Sequence, residues 1–113
     1  MLPRRIPKPA KRASRWRCPA HCKFVREHAC SFCGTTAGIE VMHVRLGSGA
    51  GMGQKPDDWR TCSACRDCHA RQHSIGEETF WQGRDREALI AAFIKASPRQ
   101  REIEQVMRER GNA

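Results

Sequence analysis

The sequence predicts an α+β fold: a small, zinc-stabilised unit of two strands and a helix, flanked by further helices and preceded by a disordered basic arm. Three observations predict it. Cys30-Ser31-Phe32-Cys33 and Cys65-Arg66-Asp67-Cys68 are two C-x-x-C turns separated by 31 residues. The stretch between them holds two β-like runs around a glycine-rich connection. Helical periodicity sets in after Cys65 and persists to the C-terminus. The expected organisation is a basic arm over 1–17, a zinc-binding domain over 18–96 and a C-terminal helix over 97–113.

The arm comes first. Residues 1–17 carry seven Lys or Arg and no acid, with Pro3, Pro7 and Pro9 opposing regular structure. The chain has a net charge of +9, yet the remaining 96 residues contribute only +2 of it. Such an arm, with Arg12, Arg15 and Arg17 near its end, suits sequence-independent attraction to nucleic acid phosphates. A merely solubilising leader has the same composition.

A helix is expected over 19–28, with Pro19 in its first turn and Cys22, Val25 and Ala29 on an inward face. Gly38–Leu46 reads as a strand whose alternation places Ile39, Val41 and His43 together. The run Gly47–Gly53 cannot be a regular element. Asp58–Ala64 reads as a second, antiparallel strand. A helix from Cys65 or Arg66 carries Cys68, His69 and His73, and Gly76 divides it from a short helix over Glu77–Gln82. Another helix spans 85–96, with Leu89, Ala92, Phe93 and Ala96 on one stripe. Ser97-Pro98 looks like an N-cap with proline behind it, opening a last helix over 98–110. Its seam of Ile103, Val106 and Met107 is narrow, suited to weak docking, to fraying or to a homodimer.

Hydrophobic residues make up only 39% of the chain, and the part that shares a core is roughly residues 24 to 96. A core of about 70 residues is marginal without a staple. Seven cysteines cannot all pair within one chain. The N-terminus has no apolar secretory stretch, and no apolar run approaches the ~18 residues of a membrane span. The expectation is a cytoplasmic protein, with no membrane partner, in which paired thiols hold metal. Cys30, Cys33, Cys65 and Cys68 are accordingly expected to share one structural Zn²⁺. Cys62 is expected in the core, although it could replace one of the four. Cys18 and Cys22, with His21 and His28, offer a weaker second set. His69 and His73, four apart, project from one helical face and suit a divalent ion.

Met42-His43-Val44, then Asp58-Trp59, then Cys65-x-x-Cys68-His69-x-x-x-His73 resembles the HNH endonuclease motif, in particular the zinc-stapled ββα-metal nucleases of phages and prophages. The similarity extends over Cys18–Trp81. It implies an HNH core and a metal-dependent hydrolase of DNA phosphodiester bonds, an endonuclease or nickase of low sequence specificity, leaving 5′-phosphate and 3′-hydroxyl ends. His43 would be the general base, and His69 and His73 would hold catalytic Mg²⁺ or another divalent ion. Asp58, with Asp57 as a rival, would steady the base, and Arg45 and Arg60 would contact phosphate. Two positions depart from the pattern. Met42 stands where many members have a metal ligand, so Asp58 or water fills that place, or the ion is weakly held, or the site is inactive. Aspartate stands at the central asparagine. The alternatives are a non-catalytic zinc module that binds nucleic acid and a purely structural or protein-binding zinc domain.

Overall fold

A computed structural model of the chain describes residues 1–7, 15–50 and 55–110. Arg12 and part of the expected glycine-rich connection lie outside the described residues. Residues 1–7 are exposed and have no regular structure. Residues 15–17 behave differently. The Trp16 backbone N–H donates to Asp57 Oδ1 (2.6 Å), the Asp58 N–H donates back to the Trp16 carbonyl (3.0 Å), and the Trp16 ring packs on Trp59 at 5.6 Å between centroids. The segment therefore belongs to the folded body, which begins no later than residue 15 rather than at 18. Trp16 is what a reading by charge overlooks.

Helix α1 (Pro19–Arg26) starts on a proline, whose missing N–H costs nothing in a first turn. It buries His21 and Val25. Strands β1 (Ile39–His43) and β2 (Thr61–Cys65) pair antiparallel, with Met42 opposite Cys62 and His43 opposite Thr61. Both are shorter than their sequence patterns. Val44 and Arg60 still bond across the pair, after which the chain leaves the ladder. Met42, Cys62 and Ala64 lie on one face and are wholly buried, with Val44 and Trp59 in the same core. All of β2 is buried, because the first cysteine turn lies along it. The Ser31 N–H donates to the Ser63 carbonyl (2.9 Å), and the Ser63 hydroxyl donates to the Ala29 carbonyl (2.7 Å). The strand's free edge is thereby covered by chain that also carries Cys30 and Cys33.

Helix α2 (Arg66–Ile75) follows β2 without a loop. Gly76, at φ +89°, breaks it from α3 (Glu77–Trp81), a conformation that only glycine adopts without strain. Phe80 and Trp81 of α3 enter the core. Helix α4 (Arg86–Ala96) begins as expected, with the Asp85 carboxylate accepting the Ala88 N–H (3.0 Å), and it buries Ile90, Phe93 and Ile94. Helix α5 (Gln100–Glu109) starts two residues later than the Ser97-Pro98 signal implies. Ser97 ends α4 instead, and its hydroxyl accepts the Arg99 N–H (3.1 Å) and bonds His21 Nδ1 (2.8 Å). The α5 seam is used within the chain: Ile103 is fully buried, and Val106 and Met107 pack beside it. No helix among the described residues is long and apolar enough to cross a membrane.

Candidate functional site

The four cysteines of the two turns converge. Their sulfur atoms all lie within 4.8 Å of one another, and Cys33 Sγ sits 3.6 Å from Cys65 Sγ. Tetrahedral zinc with Zn–S bonds of about 2.3 Å requires sulfurs about 3.8 Å apart, so the set fits a zinc ion. None of the seven cysteines is in a disulfide. Local structure explains the convergence. Gly34, at φ +78°, lets the first turn curl back, and its N–H donates to the Cys30 carbonyl (3.1 Å). Cys65 caps α2, its sulfur accepting the Cys68 N–H (3.4 Å). Burial raises the Cys30 thiol, but hydrogen bonds around the turns outweigh this and bring it down to about 6. Cys68 is pushed up by burial and by its bonded sulfur neighbours. Four thiolates this close require a cation to balance their charge, and the cluster could hold one zinc ion.

Beside this cluster lies a cavity of ≈ 600 Å³ whose wall includes His43, His69 and His73. The three imidazoles come from the end of β1 and from successive turns of α2. Ile39 and Val41 line the same cavity, as the alternation of the strand requires. His43 Nε2 lies 2.8 Å from Asp58 Oδ1. Asp58 is buried and also accepts the Cys18 N–H at Oδ2 (2.7 Å) and Arg17 Nη1 at Oδ1 (3.2 Å). Burial opposes its ionisation, but the bonds from His43 and Cys18 and the charge of Arg17 win and hold it below the usual carboxylate range. An ionised Asp58 can only accept, so His43 Nε2 carries the proton and Nδ1 keeps its lone pair. Burial lowers the His43 pKa from its ordinary value, with Asp58 pulling the other way. The lowering favours the neutral imidazole of His43. Asp57, the neighbouring rival, has a different task. It binds Trp16 N–H and Arg110 Nη1 (2.7 Å), so it ties both ends of the body to the loop before β2.

His69 and His73 stack at 5.0 Å between ring centroids, and His69 Nδ1 bonds Glu40 Oε1 (2.9 Å). They share the cavity wall, but no third His, Cys, Asp or Glu among the described residues gathers with both at ligand distance. Two imidazoles suit a transition ion better than Mg²⁺, which prefers oxygen. Two further wall residues had no motif to announce them. Gln72 is 1% exposed with both side-chain polar atoms unpartnered, and Glu77 Oε2 is buried without a hydrogen bond. Only their i, i+3 and i, i+4 relations to His69 and His73 could have drawn attention to them.

The expected phosphate contacts divide. Arg45 lines an adjoining cleft that shares His43, His73 and Glu77 with the cavity; it is 43% exposed, with Nε 3.7 Å from Glu77. Arg60 is spent on the fold: its guanidinium binds both Glu87 oxygens (2.8 Å each) and the carbonyls of Val44 and Leu46. Arg17 folds back on Asp58, Pro56 and Lys55, and Arg15 approaches Asp57 at 3.8 Å. The weaker second metal set does not assemble. His21 is buried on Ser97 and His28 Nδ1 bonds the Phe24 carbonyl, while Cys18 is a buried cap residue. Cys22 instead faces the cavity, and its thiol joins His43 and Asp58 with ligand atoms within 4.8 Å of one another. Burial, then Asp58, pushes that thiol up to about 11.

Residues 5–97 match the family described as "Protein of unknown function (DUF968)". This chain belongs to the DUF968 family. No curated protein matches it. No solved structure matches it either. The DUF968 region contains both cysteine turns, all three cavity histidines, Cys22 and Asp58, and stops before α5.

Proposed function

We propose that this chain is an HNH-type hydrolase of nucleic acid phosphodiester bonds, a DNA endonuclease or nickase of low sequence specificity. The observation that carries the reading is His43, held by the Asp58 carboxylate and facing the cavity that His69 and His73 also line.

The chemistry follows from the side chains. The Asp58 carboxylate fixes the His43 tautomer and turns a neutral Nδ1 outward, the state a general base needs. Because burial lowers the pKa of His43, that state persists to lower pH than for a free histidine. Arg45 and Lys55, together in the adjoining cleft that His43 and His73 also line, would orient the phosphate. A divalent ion held by His69 and His73 would supply stabilisation of the charge on the scissile phosphate and the leaving 3′-oxygen. Gln72 places unpartnered polar atoms in the same wall, where water or substrate would satisfy them. Zn²⁺ in the four-cysteine cluster would serve the fold rather than the reaction. Arg4 and Arg5 of the exposed N-terminal residues would add sequence-independent affinity.

A plasmid-nicking assay with Mg²⁺ or Mn²⁺ tests this. His43→Ala is expected to nick at least about 100-fold more slowly than the wild type, the usual loss for a general base. The acid limb of the wild-type rate should have its midpoint below the ordinary histidine value of 6.5, since protonation of His43 removes the base. Equal rates for the two proteins would overturn the assignment. A second reading, a non-catalytic zinc module that binds nucleic acid, draws support from Met42. This residue is wholly buried in the core and offers the cavity nothing. Binding of DNA without cutting by either protein would favour it.

A further inference from the structure

We propose that Cys22, His43 and Asp58 form a second metal site, separate from the four-cysteine cluster, for a thiol-seeking divalent ion such as Zn²⁺. The three residues come from α1, the end of β1 and the loop before β2, yet their ligand atoms all lie within 4.8 Å of one another. Nothing in their sequence spacing predicts this meeting; the fold makes it.

Three features argue that the site is built rather than accidental. First, the ligands are held in place. The Cys18 N–H on Asp58 Oδ2 and the Arg17 guanidinium on Oδ1 lock the carboxylate, and the Cys18 bond fixes the start of α1 against it. Cys22 is one helical turn further on and inherits that position. Second, the set is three protein ligands with access on one side. Cys22 and His43 line the cavity while Asp58 is buried behind them. This is the pattern of zinc sites that keep a fourth position open. Third, the donors select the ion. One thiolate, one imidazole and one carboxylate suit Zn²⁺ and repel the hard Mg²⁺. Uptake would send the Cys22 proton to solvent, shift the His43 proton from Nε2 to Nδ1, and replace the His43–Asp58 hydrogen bond by two bonds to the ion. Arg17 and Lys55 stand nearby and oppose a cation, which limits the affinity below that of the four-cysteine cluster.

If the hydrolase reading holds, on which this consequence alone rests, Zn²⁺ at this site takes the general base out of use while Mg²⁺ leaves it free. The chain would then carry one zinc for its fold and lose its activity on taking a second.

The test counts metal on the full chain. Folded protein carrying its first equivalent is titrated with Zn²⁺ and, in parallel, with Cd²⁺, and bound metal is read by native mass spectrometry. The wild type is expected to retain two equivalents, since the His69–His73 pair, with no third His, Cys, Asp or Glu gathered beside it among the described residues, releases its ion. Cys22→Ser, with unchanged circular dichroism, should lose the second by more than about 100-fold in affinity, since even outer-shell partners of a metal ligand cost about 10–100-fold. Cadmium NMR of the wild type needs no variant. It should show one all-sulfur resonance and a second far upfield of it. Saturation at one equivalent, a single resonance, or a second equivalent that survives in Cys22→Ser would each overturn the proposal. A wild type that binds two equivalents but never nicks DNA would refute the hydrolase reading and leave this site standing.

Discussion

Asp58→Ala removes the acceptor that joins three segments, and its cost can be worked from the contacts. The Cys18 N–H, in a residue only 6% exposed, loses its partner at 2.7 Å. An unpaired buried donor costs about 1–3 kcal/mol. His43 Nε2, in a side chain 14% exposed, loses a bond of 2.8 Å, a further ~1 kcal/mol. Arg17 is 41% exposed and contributes little, about 0–1 kcal/mol. The total is about 2–5 kcal/mol, a large part of the ~5–15 kcal/mol that holds a typical domain. Urea unfolding of zinc-loaded protein at pH 7 measures it. Acid supplies a second signature. The folded pKa of Asp58 lies below its ordinary 3.8, so its contribution is complete above that value and is lost as pH falls through the folded one. Asp58→Ala should therefore show a shallower decline of stability in that window than the wild type. The variant should also lower the His43 pKa further, because the contribution that raises it is gone while burial remains. A stability loss under about 0.5 kcal/mol, with His43 titrating as before, would refute the account of Asp58 as the link between α1, the arm and the base.

Removing the metal, by strong chelation or by Cys30→Ala, should unfold the domain cooperatively. A structural zinc contributes about 10–16 kcal/mol, comparable to the whole stability of a small domain; a metal-free variant with native circular dichroism would contradict this. Ile103→Ala should cost about 2–5 kcal/mol in urea unfolding because Ile103 is fully buried, and an unchanged midpoint would mean that α5 does not dock. Deleting residues 1–7 should leave the midpoint unchanged and reduce the salt slope of DNA binding by about 0.9 per lost phosphate contact. Deleting 1–17 should in addition lower the midpoint, since Trp16 and Arg17 go with it, and equal midpoints for the two truncations would show that these contacts carry no stability.

The parts legible in the sequence were those written in short-range pattern. The two C-x-x-C turns, the alternation of Ile39, Val41 and His43 and the Gly76 break each depend on residues within a few positions of one another, and each lies where its pattern puts it. What escaped depended on distant partners. Trp16 looked like part of a basic arm because its partner Trp59 lies 43 residues on. Arg60 looked free because Glu87 belongs to another helix. The choice between Asp57 and Asp58 could not be made from adjacency, since the turn they open sends the two neighbours to different partners. One reaches Trp16 and Arg110, the other His43. Cys22 looked like a core residue of α1, and only the packing of that helix against β1 turns it to the cavity.

The economy of the arrangement lies in α2. Its first turn carries two sulfurs of the four-cysteine cluster, and the next turns carry His69, Gln72 and His73. From Cys65 to His73 is eight residues, about 12 Å of helix. A lever this short and hydrogen-bonded throughout transmits position with little loss. His43 stands on β1, which is paired with β2, and β2 runs directly into Cys65. The histidines on either side of the cavity are thus both referenced to the same four sulfurs. An ion in that cluster would do more than hold a weak core together: it would set the separation between His43 and the α2 pair. Loss of the ion would release the start of α2 and so disrupt the cavity together with the core. Cavity geometry and fold stability therefore have one origin here, and a perturbation of the sulfur cluster cannot alter the second without altering the first.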